Sequence, residues 1–488
     1  MTVSQKINPL FVVTAVLFSG LCWYLSNGLT GDYWYLLWIA PVPVLALSFR
    51  LPAKAAFIIS FIAYLLGRLS WFSYLVSVAT LIPAIIFTLV LPLIFSLIIL
   101  QVRKIITRSP HWWTVFAFPV LFTSFEFLVA RFSPDGSAAS IAYTQSNVLS
   151  LIQVASVTGI AGITFIVIFF PSAIAVAWYY RKEKNKLRYI TVSSIVILAA
   201  VFSFGLTRIN NNKKDVTVKA GLAVLDEKFH YITGHPDLQK EIQSAEYYAA
   251  QIKKLSEEAA QVIVLPERAV NITPETDSAV MHILMTAAKQ NHVVLVTGYT
   301  NFKNKPQRNS AMVINADGGL VTGYNKAHLV TGLENQFTAG NEIAVFQFNN
   351  LPAGVAICKD LDFPAYIRRY GEKSVHFLCI PAWDFSTDDW LHSRMAILRG
   401  VEIGCSEIRS ARLGRLTISD FTGRVNFETS STAGHAASLT GDVSLEKRNT
   451  VYSRFGDWFG WLNLIMAVCF IFFTGKNQKK KPELAKRL

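Results

Sequence analysis

The chain has 488 residues, of which 52% are hydrophobic, 13% aromatic and only 16% charged. Soluble domains carry about 25% charged residues, so this composition excludes an ordinary soluble protein and indicates long contact with lipid. The net charge of +14 is compatible with a nucleic-acid or a membrane-surface partner. The densest basic clusters, 181–188 and 476–487, each adjoin an apolar run, where membrane proteins carry their orientation signals. We therefore expect membrane lipid as a partner and no nucleic acid.

Apolar segments dominate the first part of the chain, and each is long enough to cross about 30 Å of hydrocarbon. The predicted spans are 9–27, 33–49, 55–75, 78–102, 112–130, 157–180 and 189–207, with an eighth at 457–474. The sequence therefore predicts a multi-pass α-helical membrane bundle interrupted by one polar domain.

The distribution of Lys and Arg among the loops predicts the orientation. Alternate loops carry the basic residues, namely 50–54, 103–108, 181–188 and the tail. The intervening loops 28–32 and 76–77 have none, and 131–156 has only Arg131. Because basic loops remain in the cytoplasm, we expect both termini inside and the polar domain outside the cytoplasm.

The polar domain, from Lys213 to about Arg454, alternates short apolar runs with amphipathic stretches. Strands are predicted at 216–224, 262–265, 293–298, 310–315, 319–324, 353–357 and 375–380, and helices at 238–260, 275–290 and 363–371. This alternation predicts one α/β domain with a sheet covered by helices.

The five cysteines indicate neither a disulfide framework nor a zinc site. Cys22 and Cys469 lie in apolar runs, and the remaining three lack CxxC spacing. Cys379, within a predicted strand, and Cys405, predicted to lie in a helix, are interpreted as inert packing residues. Cys358 is the candidate nucleophile, and no metal or cofactor is predicted.

Three polar residues, Glu267, Lys326 and Cys358, each follow a predicted strand. Reactive groups gather beyond the carboxyl ends of strands in α/β sheets. A thiol needs a base or a nearby cation to become a thiolate. A carboxylate can take the proton, and an ammonium group can stabilise an oxyanion. Taken singly, each residue is also compatible with a solvated loop or with packing.

The local motifs around these residues resemble the nitrilase superfamily, in which a Glu–Lys–Cys triad makes or breaks acyl bonds in an αββα sandwich. The motifs are Leu265-Pro266-Glu267, Tyr324-Asn325-Lys326-Ala327-His328-Leu329-Val330 and Ile357-Cys358-Lys359-Asp360-Leu361-Asp362-Phe363-Pro364. Seven apolar spans before such a domain and one after it resemble the apolipoprotein N-acyltransferases in particular. Further likenesses occur at 381–385, 392–402 and 452–459.

This resemblance implies a nitrilase-like αββα domain outside the cytoplasm. It divides the chain into a transmembrane region at 1–210, a catalytic domain at 211–455, an eighth helix at 456–475 and a basic cytoplasmic tail at 476–488. The implied location is the bacterial inner membrane, with the catalytic domain on the periplasmic side.

The resemblance also implies a reaction. An acyl chain would pass from a phospholipid, through a cysteine thioester, to the N-terminal amine of a diacylated lipoprotein. Cys358 would be the nucleophile, Glu267 the general base and Lys326 the oxyanion stabiliser, with Glu334 as the supporting carboxylate.

Two further residues are predicted to contact substrate. Trp383 lies in the motif Pro381-Ala382-Trp383-Asp384-Phe385. Arg68 lies inside the third span, where a charge is costly and indicates a functional site by default. Its two interpretations are contact with a phospholipid phosphate and extension of the side chain to the outer membrane interface.

Departures from the family pattern leave two alternatives open. Lys359 and Asp360 stand where the family typically has an aromatic residue and then Glu, and Asp at that place resembles the hydrolases. The alternatives are a membrane-anchored amidase, in which water resolves the thioester, and a binding protein with a vestigial triad. The membrane spans favour the acyltransferase, because a water-soluble amide needs no such platform.

Overall fold

The computed structural model of the protein describes residues 7–109, 111–210, 216–230 and 237–476. The predicted basic tail therefore lies outside the described residues beyond Lys476. Within the described residues, a helical part and an α/β domain pack against each other.

The helical part begins with ten α-helices. They are α1 (Pro9–Leu25), α2 (Val42–Ser48), α3 (Ala53–Arg68), α4 (Phe72–Ala79), α5 (Leu81–Arg108), α6 (Ala117–Phe132), α7 (Leu149–Ile152), α8 (Ala155–Thr158), α9 (Ile160–Tyr179) and α10 (Lys184–Asn210).

Five helical segments in the described ranges are long and apolar enough to cross a membrane. They are Ala53–Ala79, Leu81–Arg108, Trp112–Phe132, Ile160–Tyr179 and Lys184–Asn210. The predicted spans 9–27, 33–49 and 457–474 form shorter apolar helices, at Pro9–Leu25, Trp34–Ser48 and Trp458–Phe472. The chain is a membrane protein with several apolar helices.

The third predicted span is not one continuous helix. α3 ends at Arg68, a 3-10 turn follows at Leu69–Trp71, and α4 continues to Ala79. The chain reverses at Thr80, which has a φ of 70°. The predicted loop at 76–77 is therefore wrong in its position, because α4 continues to Ala79 and the turn lies at Thr80.

In its described residues, the α/β domain contains thirteen strands and the next five helices. The elements in chain order are β1 (Thr217–Val224), α11 (Leu238–Glu257), β2 (Val262–Val264), β3 (Val270–Ile272), α12 (Asp277–Gln290), β4 (Val294–Asn301), β5 (Arg308–Ile314), β6 (Leu320–Asn325), β7 (Ala344–Phe348), β8 (Leu351–Val355), α13 (Pro364–Glu372), β9 (Phe377–Trp383), α14 (Asp389–Ile403), β10 (Ser406–Arg412), β11 (Arg415–Ser419), β12 (Val425–Ser430), β13 (Ala437–Ser444) and α15 (Val451–Phe455). The last helix, α16 (Trp458–Lys476), returns to the helical part.

These strands form two stacked sheets, so the single sheet predicted from alternation is wrong and the implied αββα sandwich is confirmed. One sheet has the order β13-β1-β2-β4-β5-β6, with β3 paired to β4, and the other has the order β12-β11-β10-β9-β8-β7. An apolar core including Val264, Val355 and Cys379 lies between the sheets. Helices α11 and α12 cover the first sheet, and α13 and one face of α14 cover the second.

The opposite face of α14 packs on the membrane helices, where Met395, Leu398 and Val401 join the apolar core of the helical part. α14 ends at Ile403 because Gly404 adopts the left-handed conformation, with a φ of 73°. Cys405 therefore lies between α14 and β10, buried, and its predicted helical position is wrong.

Polar contacts also join the two parts. Glu402 accepts a hydrogen bond at 2.8 Å from the backbone N–H of Ile160, the first residue of α9. A carboxylate at this place satisfies a helix N-terminus and complements its dipole. Gln153 donates to the carbonyl oxygen of Thr422 at 2.7 Å.

The loop after α6 reaches the turn that begins at Cys358. The Lys359 ammonium lies 2.7 Å from the Asp135 carboxylate, and the Ser137 N–H donates to the Asp362 carbonyl at 2.8 Å. Gly136 has a φ of 53°, and a Cβ there would lie 2.4 Å from that same carbonyl oxygen. Only glycine permits so close an approach in this conformation.

The basic loops of the helical part contact one another. The guanidinium groups of Arg50 and Arg181 both lie over the Trp178 ring. Arg103 donates to the carbonyl oxygen of Leu51 at 3.1 Å. The loops that contact the α/β domain are not these basic loops, as the distribution of Lys and Arg in the sequence predicts.

Candidate active site

Glu267 follows β2 at the edge where the two sheets meet. Its N–H donates to the Ala382 carbonyl of the second sheet at 3.3 Å. Gly298 of β4 lies against it so closely that a Cβ would be 2.7 Å from the Glu267 Cα. One carboxylate oxygen, Oε1, accepts from Lys326 at 2.7 Å and from Asn309 at 2.6 Å. The other oxygen, Oε2, is buried and has no hydrogen-bond partner among the described residues.

Lys326 follows β6 directly and is only 1% exposed. Its ammonium lies between two carboxylates, 2.7 Å from Glu267 and 2.9 Å from Glu334. Burial alone would lower the pKa of Lys326, but these two carboxylates raise it well above its usual value. The side chain is therefore a fixed, buried cation.

Glu334 and Asn309 complete this arrangement. Asn309 donates through Nδ2 to Glu267 and, at 2.5 Å, to Glu334. Glu334 also accepts the Val330 N–H at 2.7 Å. Burial favours a raised pKa for Glu334, but Lys326 and the Val330 N–H outweigh it and lower the pKa. Burial raises the pKa of Glu267, and the neighbouring Glu334 adds to the rise. Glu334 thus holds the negative charge while Glu267 is suited to accept a proton.

Cys358 opens the turn after β8, from the second sheet. Its φ of 42° is unusual for a residue with a side chain. The thiol donates to the Trp383 carbonyl at 3.4 Å. Burial raises the pKa of Cys358 to about 11, the Glu267 charge adds to the rise, and Lys326 and His392 oppose it. At neutral pH the thiol is therefore protonated and needs a base.

Asp360, one of the departures from the family pattern, joins the lysine and cysteine turns. One carboxylate oxygen accepts the N–H groups of Ala327 at 3.1 Å and His328 at 2.9 Å. The other accepts the Tyr324 hydroxyl at 2.6 Å and the Ile357 N–H at 3.0 Å. Its contacts are made to backbone N–H groups, to the Tyr324 hydroxyl and to the His328 ring, whose Nδ1 lies 3.0 Å away. These contacts hold the turns, so its resemblance to the hydrolases carries little weight.

The structure brings together four of the six predicted site residues, Glu267, Lys326, Cys358 and Glu334. Trp383 adjoins them through its backbone. Its ring lies under the Arg412 guanidinium at 4.0 Å and near that of Arg268 at 5.4 Å.

Arg68 belongs to the helical part. Its guanidinium lies 4.7 Å from the centre of the Trp71 ring, and its buried Nε has no hydrogen-bond partner among the described residues. Contact of Arg68 or Trp383 with substrate stays a prediction.

The sequence patterns did not identify Asn309 or three further groups near the thiol, Asp384, Asp388 and His392. Two sequence features could have indicated them: the polar residue Asn309 at the edge of an apolar run, and the spacing of four residues between Asp388 and His392. The Cys358 sulfur, an Asp384 oxygen and a His392 nitrogen lie within 4.8 Å of one another. Asp384 already binds Arg409 through two contacts, at 2.5 and 3.0 Å, so we interpret this trio as the surroundings of the thiol.

Comparisons with known proteins find family matches over most of the chain. The family model described as carbon-nitrogen hydrolase matches residues 232–453. The model described as apolipoprotein N-acyltransferase N-terminal domain matches residues 19–173. An amidase of the nitrilase superfamily from Nesterenkonia, a solved structure, superposes on 48% of this chain and 94% of its own. That superposition has 16% identity and a TM-score of 0.41.

Curated relatives match along nearly their whole length. The apolipoprotein N-acyltransferase of Geobacter metallireducens is 24% identical, covering 87% of this chain and 88% of the relative. Apolipoprotein N-acyltransferase 1 of Treponema denticola is 23% identical, covering 89% and 91%. With both family models matched in the same order on one membrane chain, the protein belongs to the apolipoprotein N-acyltransferase family.

Proposed function

We propose that the protein is an N-acyltransferase that moves an acyl chain from a phospholipid, through a thioester on Cys358, to the N-terminal amine of a diacylated lipoprotein. The observation that carries the proposal is the buried Glu267–Lys326 pair beside a protonated thiol, in a domain joined to membrane helices. The relatives named above carry the same activity in their names.

In the first half-reaction, Glu267 takes the proton of the Cys358 thiol through its free oxygen. The thiolate attacks the ester carbonyl carbon of the phospholipid, and the oxyanion of the tetrahedral intermediate faces the Lys326 ammonium. The ester C–O bond breaks, and the leaving alcohol takes the proton from Glu267. The products are a lysophospholipid and the Cys358 thioester.

In the second half-reaction, the acceptor amine attacks the thioester carbonyl carbon and gives a proton to Glu267. The C–S bond breaks, the amide forms, and the Cys358 sulfur recovers the proton. Lys326 again faces the oxyanion, so both half-reactions use the same buried cation. No cofactor takes part in either step.

Both substrates have acyl chains in the membrane and a polar reacting group at its surface, and the domain division fits that need. We assign 1–210 and 456–475 to the transmembrane part, 211–455 to catalysis and 476–488 to a cytoplasmic tail. Arg68, with its unpartnered Nε, would bind the phosphate of the donor lipid, and Trp383 would contact substrate beside the thiol.

We propose the bacterial inner membrane as the location, with the catalytic domain on the periplasmic side, because the basic loops are not the ones that contact this domain. A reporter inserted near Asn304 should report the extracytoplasmic side, and one fused after Lys481 the cytoplasm. A cytoplasmic signal from the Asn304 insertion would overturn this orientation.

The experiment that tests the function is product analysis after incubation with a labelled phospholipid and a lipopeptide bearing a free N-terminal amine. An acylated peptide is the expected product. Free fatty acid as the main product would favour the membrane-anchored amidase, and absence of any product would mean that the triad is vestigial.

A further inference from the structure

His392 is a second charged group that faces the thiol, and the Glu–Lys–Cys triad does not include it. His392, on the first turn of α14, is 11% exposed in its side chain, and its Nε2 lies 3.1 Å from the Asp388 carboxylate. Its Nδ1 lies 4.0 Å from the Asp384 carboxylate. A ring nitrogen is within 4.8 Å of the Cys358 sulfur. His392, Asp388 and Asp384 have no part in the half-reactions described above.

We propose that His392 is a second catalytic cation: its imidazolium, held by Asp388, stabilises the Cys358 thiolate in addition to the Lys326 ammonium. This inference rests on the proposed function, since it assumes that Cys358 is the nucleophile. Two buried cations would then stabilise the thiolate. Lys326 also faces the oxyanion, whereas His392 acts on the sulfur alone.

The charges around the ring favour its protonated form. Carboxylates face it from three segments, Asp388 directly before α14, Asp384 after β9 and Asp362 in the turn after Cys358. Burial would lower the pKa of His392, but the carboxylate contacts, led by Asp388, raise it well above its usual value. The ring is therefore an imidazolium near neutral pH.

The cations near this group are already paired. Arg409 binds Asp384 at 2.5 Å, and Lys359 binds Asp135 at 2.7 Å. Each therefore neutralises a carboxylate of its own. Among the described residues, His392 is the cation within salt-bridge distance of Asp388, at 3.1 Å, and is its counter-ion. Arg409 acts on Asp388 from farther away.

Asp388 is fixed by donors on both of its oxygens. The Phe385 N–H donates to Oδ1 at 3.1 Å. The hydroxyl of Tyr74, in α4 of the membrane part, donates to Oδ2 at 2.8 Å. Buried hydrogen bonds of this kind hold a carboxylate, and through it the ring, in one orientation.

The chemical role is electrostatic, and no proton leaves the ring. When Glu267 takes the thiol proton, a negative charge appears on sulfur, and the imidazolium lowers its energy. The charge disappears when the C–S bond forms. It reappears when that bond breaks in the second half-reaction, so His392 also assists the departure of the thiolate.

The test measures thiolate formation directly, without any acyl substrate. The full-length protein in detergent is alkylated with iodoacetamide across a pH series, and modification of Cys358 is followed by peptide mass spectrometry. In His392→Gln the half-maximal rate should move up by about one pH unit, which is about tenfold slower alkylation below that point. His282→Gln, an exposed histidine on α12, is the matched control and should keep the wild-type profile.

Asp388→Asn provides a second test, which remains available if His392→Gln does not fold. Without the carboxylate, the ring loses its proton at a lower pH, so alkylation near pH 8 should fall in the same direction by a smaller factor. Wild-type profiles in both variants would overturn the proposal. The outcome is separable from the proposed function, because a shifted alkylation profile in an enzyme that acylates nothing would refute the reaction and keep the role of His392.

Discussion

The membrane helices and the catalytic domain bury polar groups in different ways. In the helices, hydroxyls donate to the carbonyl four residues earlier in the same helix, as Ser60 does to Ala56, Ser96 to Pro92 and Ser124 to Val120. In the catalytic domain, charges from distant elements are paired with one another, as in Lys326 with Glu267 and Glu334. These hydroxyls satisfy their hydrogen bonds within one helix, as lipid requires. Glu126 of α6 and the charged groups of the catalytic domain instead use partners from distant elements.

This contrast indicates that the two regions have different roles. The helices provide a platform whose stability does not depend on the charges of the site, and the sheets place those charges within hydrogen-bond distance. The two meet at few polar points, of which Lys359–Asp135 and Tyr74–Asp388 adjoin the nucleophile. Substitutions in the network should therefore change catalysis first and stability second.

The largest expected effect is that of Cys358→Ser, which should abolish turnover with the fold intact, because an alkoxide is far harder to form than a thiolate. Cys379→Ser and Cys405→Ser are the matched controls, since both cysteines are buried away from the network. Acyl transfer to the lipopeptide is the measurement. Normal transfer by Cys358→Ser with loss in Cys379→Ser would show that the nucleophile is wrong.

The next effect concerns the pair Glu267 and Lys326. Glu267→Gln should block thioester formation because an amide cannot accept the thiol proton. Lys326→Met should slow both half-reactions by about 10²–10³, the usual cost of losing one oxyanion donor. Because the two act as one unit, the double variant should be little worse than either single one.

The measurement for this pair is the time course of thioester on Cys358 with phospholipid alone. Wild-type acylation in Glu267→Gln would remove that residue from the mechanism. Fully additive losses would mean that the two side chains do not share a transition state.

A smaller, pH-dependent effect is expected from Glu334→Gln. Glu334 contributes to the raised pKa of Glu267, so removal of its charge lowers that pKa. The base must be ionised to act, and activity falls as the pH falls through its pKa. The acid limb of the pH–rate profile should therefore move to lower pH, together with a reduced maximal rate. A shift to higher pH would contradict the proposed sharing of charge.

The smallest effect should follow from Asp135→Asn at the junction of the two regions. The Asp135 side chain is 53% exposed, whereas that of Lys359 is 7% exposed. A partly exposed pair of this kind contributes about 1 kcal/mol or less. We expect a small decrease in the thermal unfolding midpoint and a few-fold slower acylation, with Asp317→Asn, in the exposed turn after β5, as the control. A loss of acylation rate as large as that of Lys326→Met would mean that the two regions do not have separate roles.

The same contrast explains what the sequence could predict. Apolar segments report burial in lipid residue by residue, so most helices were predictable, and the turn at Thr80 was predicted only slightly too early, at 76–77. The 3-10 turn at Leu69–Trp71 was not predicted, because the sequence stays apolar through it. In the catalytic domain, strands ending at Glu267, Lys326 and Cys358 were visible as local patterns. Their convergence followed from the general position of reactive groups at strand ends and from the family resemblance.

The remaining parts depended on contacts between distant residues. The second sheet results from strand pairing that alternation cannot specify. Asn309 and His392 became site residues only because β5 and α14 bring them to Glu267 and Cys358. The departure at Asp360 looked like a change in chemistry, and its contacts with the backbone of Ala327 and Ile357 give it a structural role instead.

The most direct test of the central claim is intact-protein mass spectrometry of the wild-type enzyme in two stages. Incubated with phospholipid alone, the protein should gain the mass of one acyl chain, and fragmentation should locate it on Cys358. After a lipopeptide with a free N-terminal amine is added, that mass should leave the protein and appear on the peptide. Acylation at another residue, or loss of the acyl chain to water before the amine is added, would contradict the account.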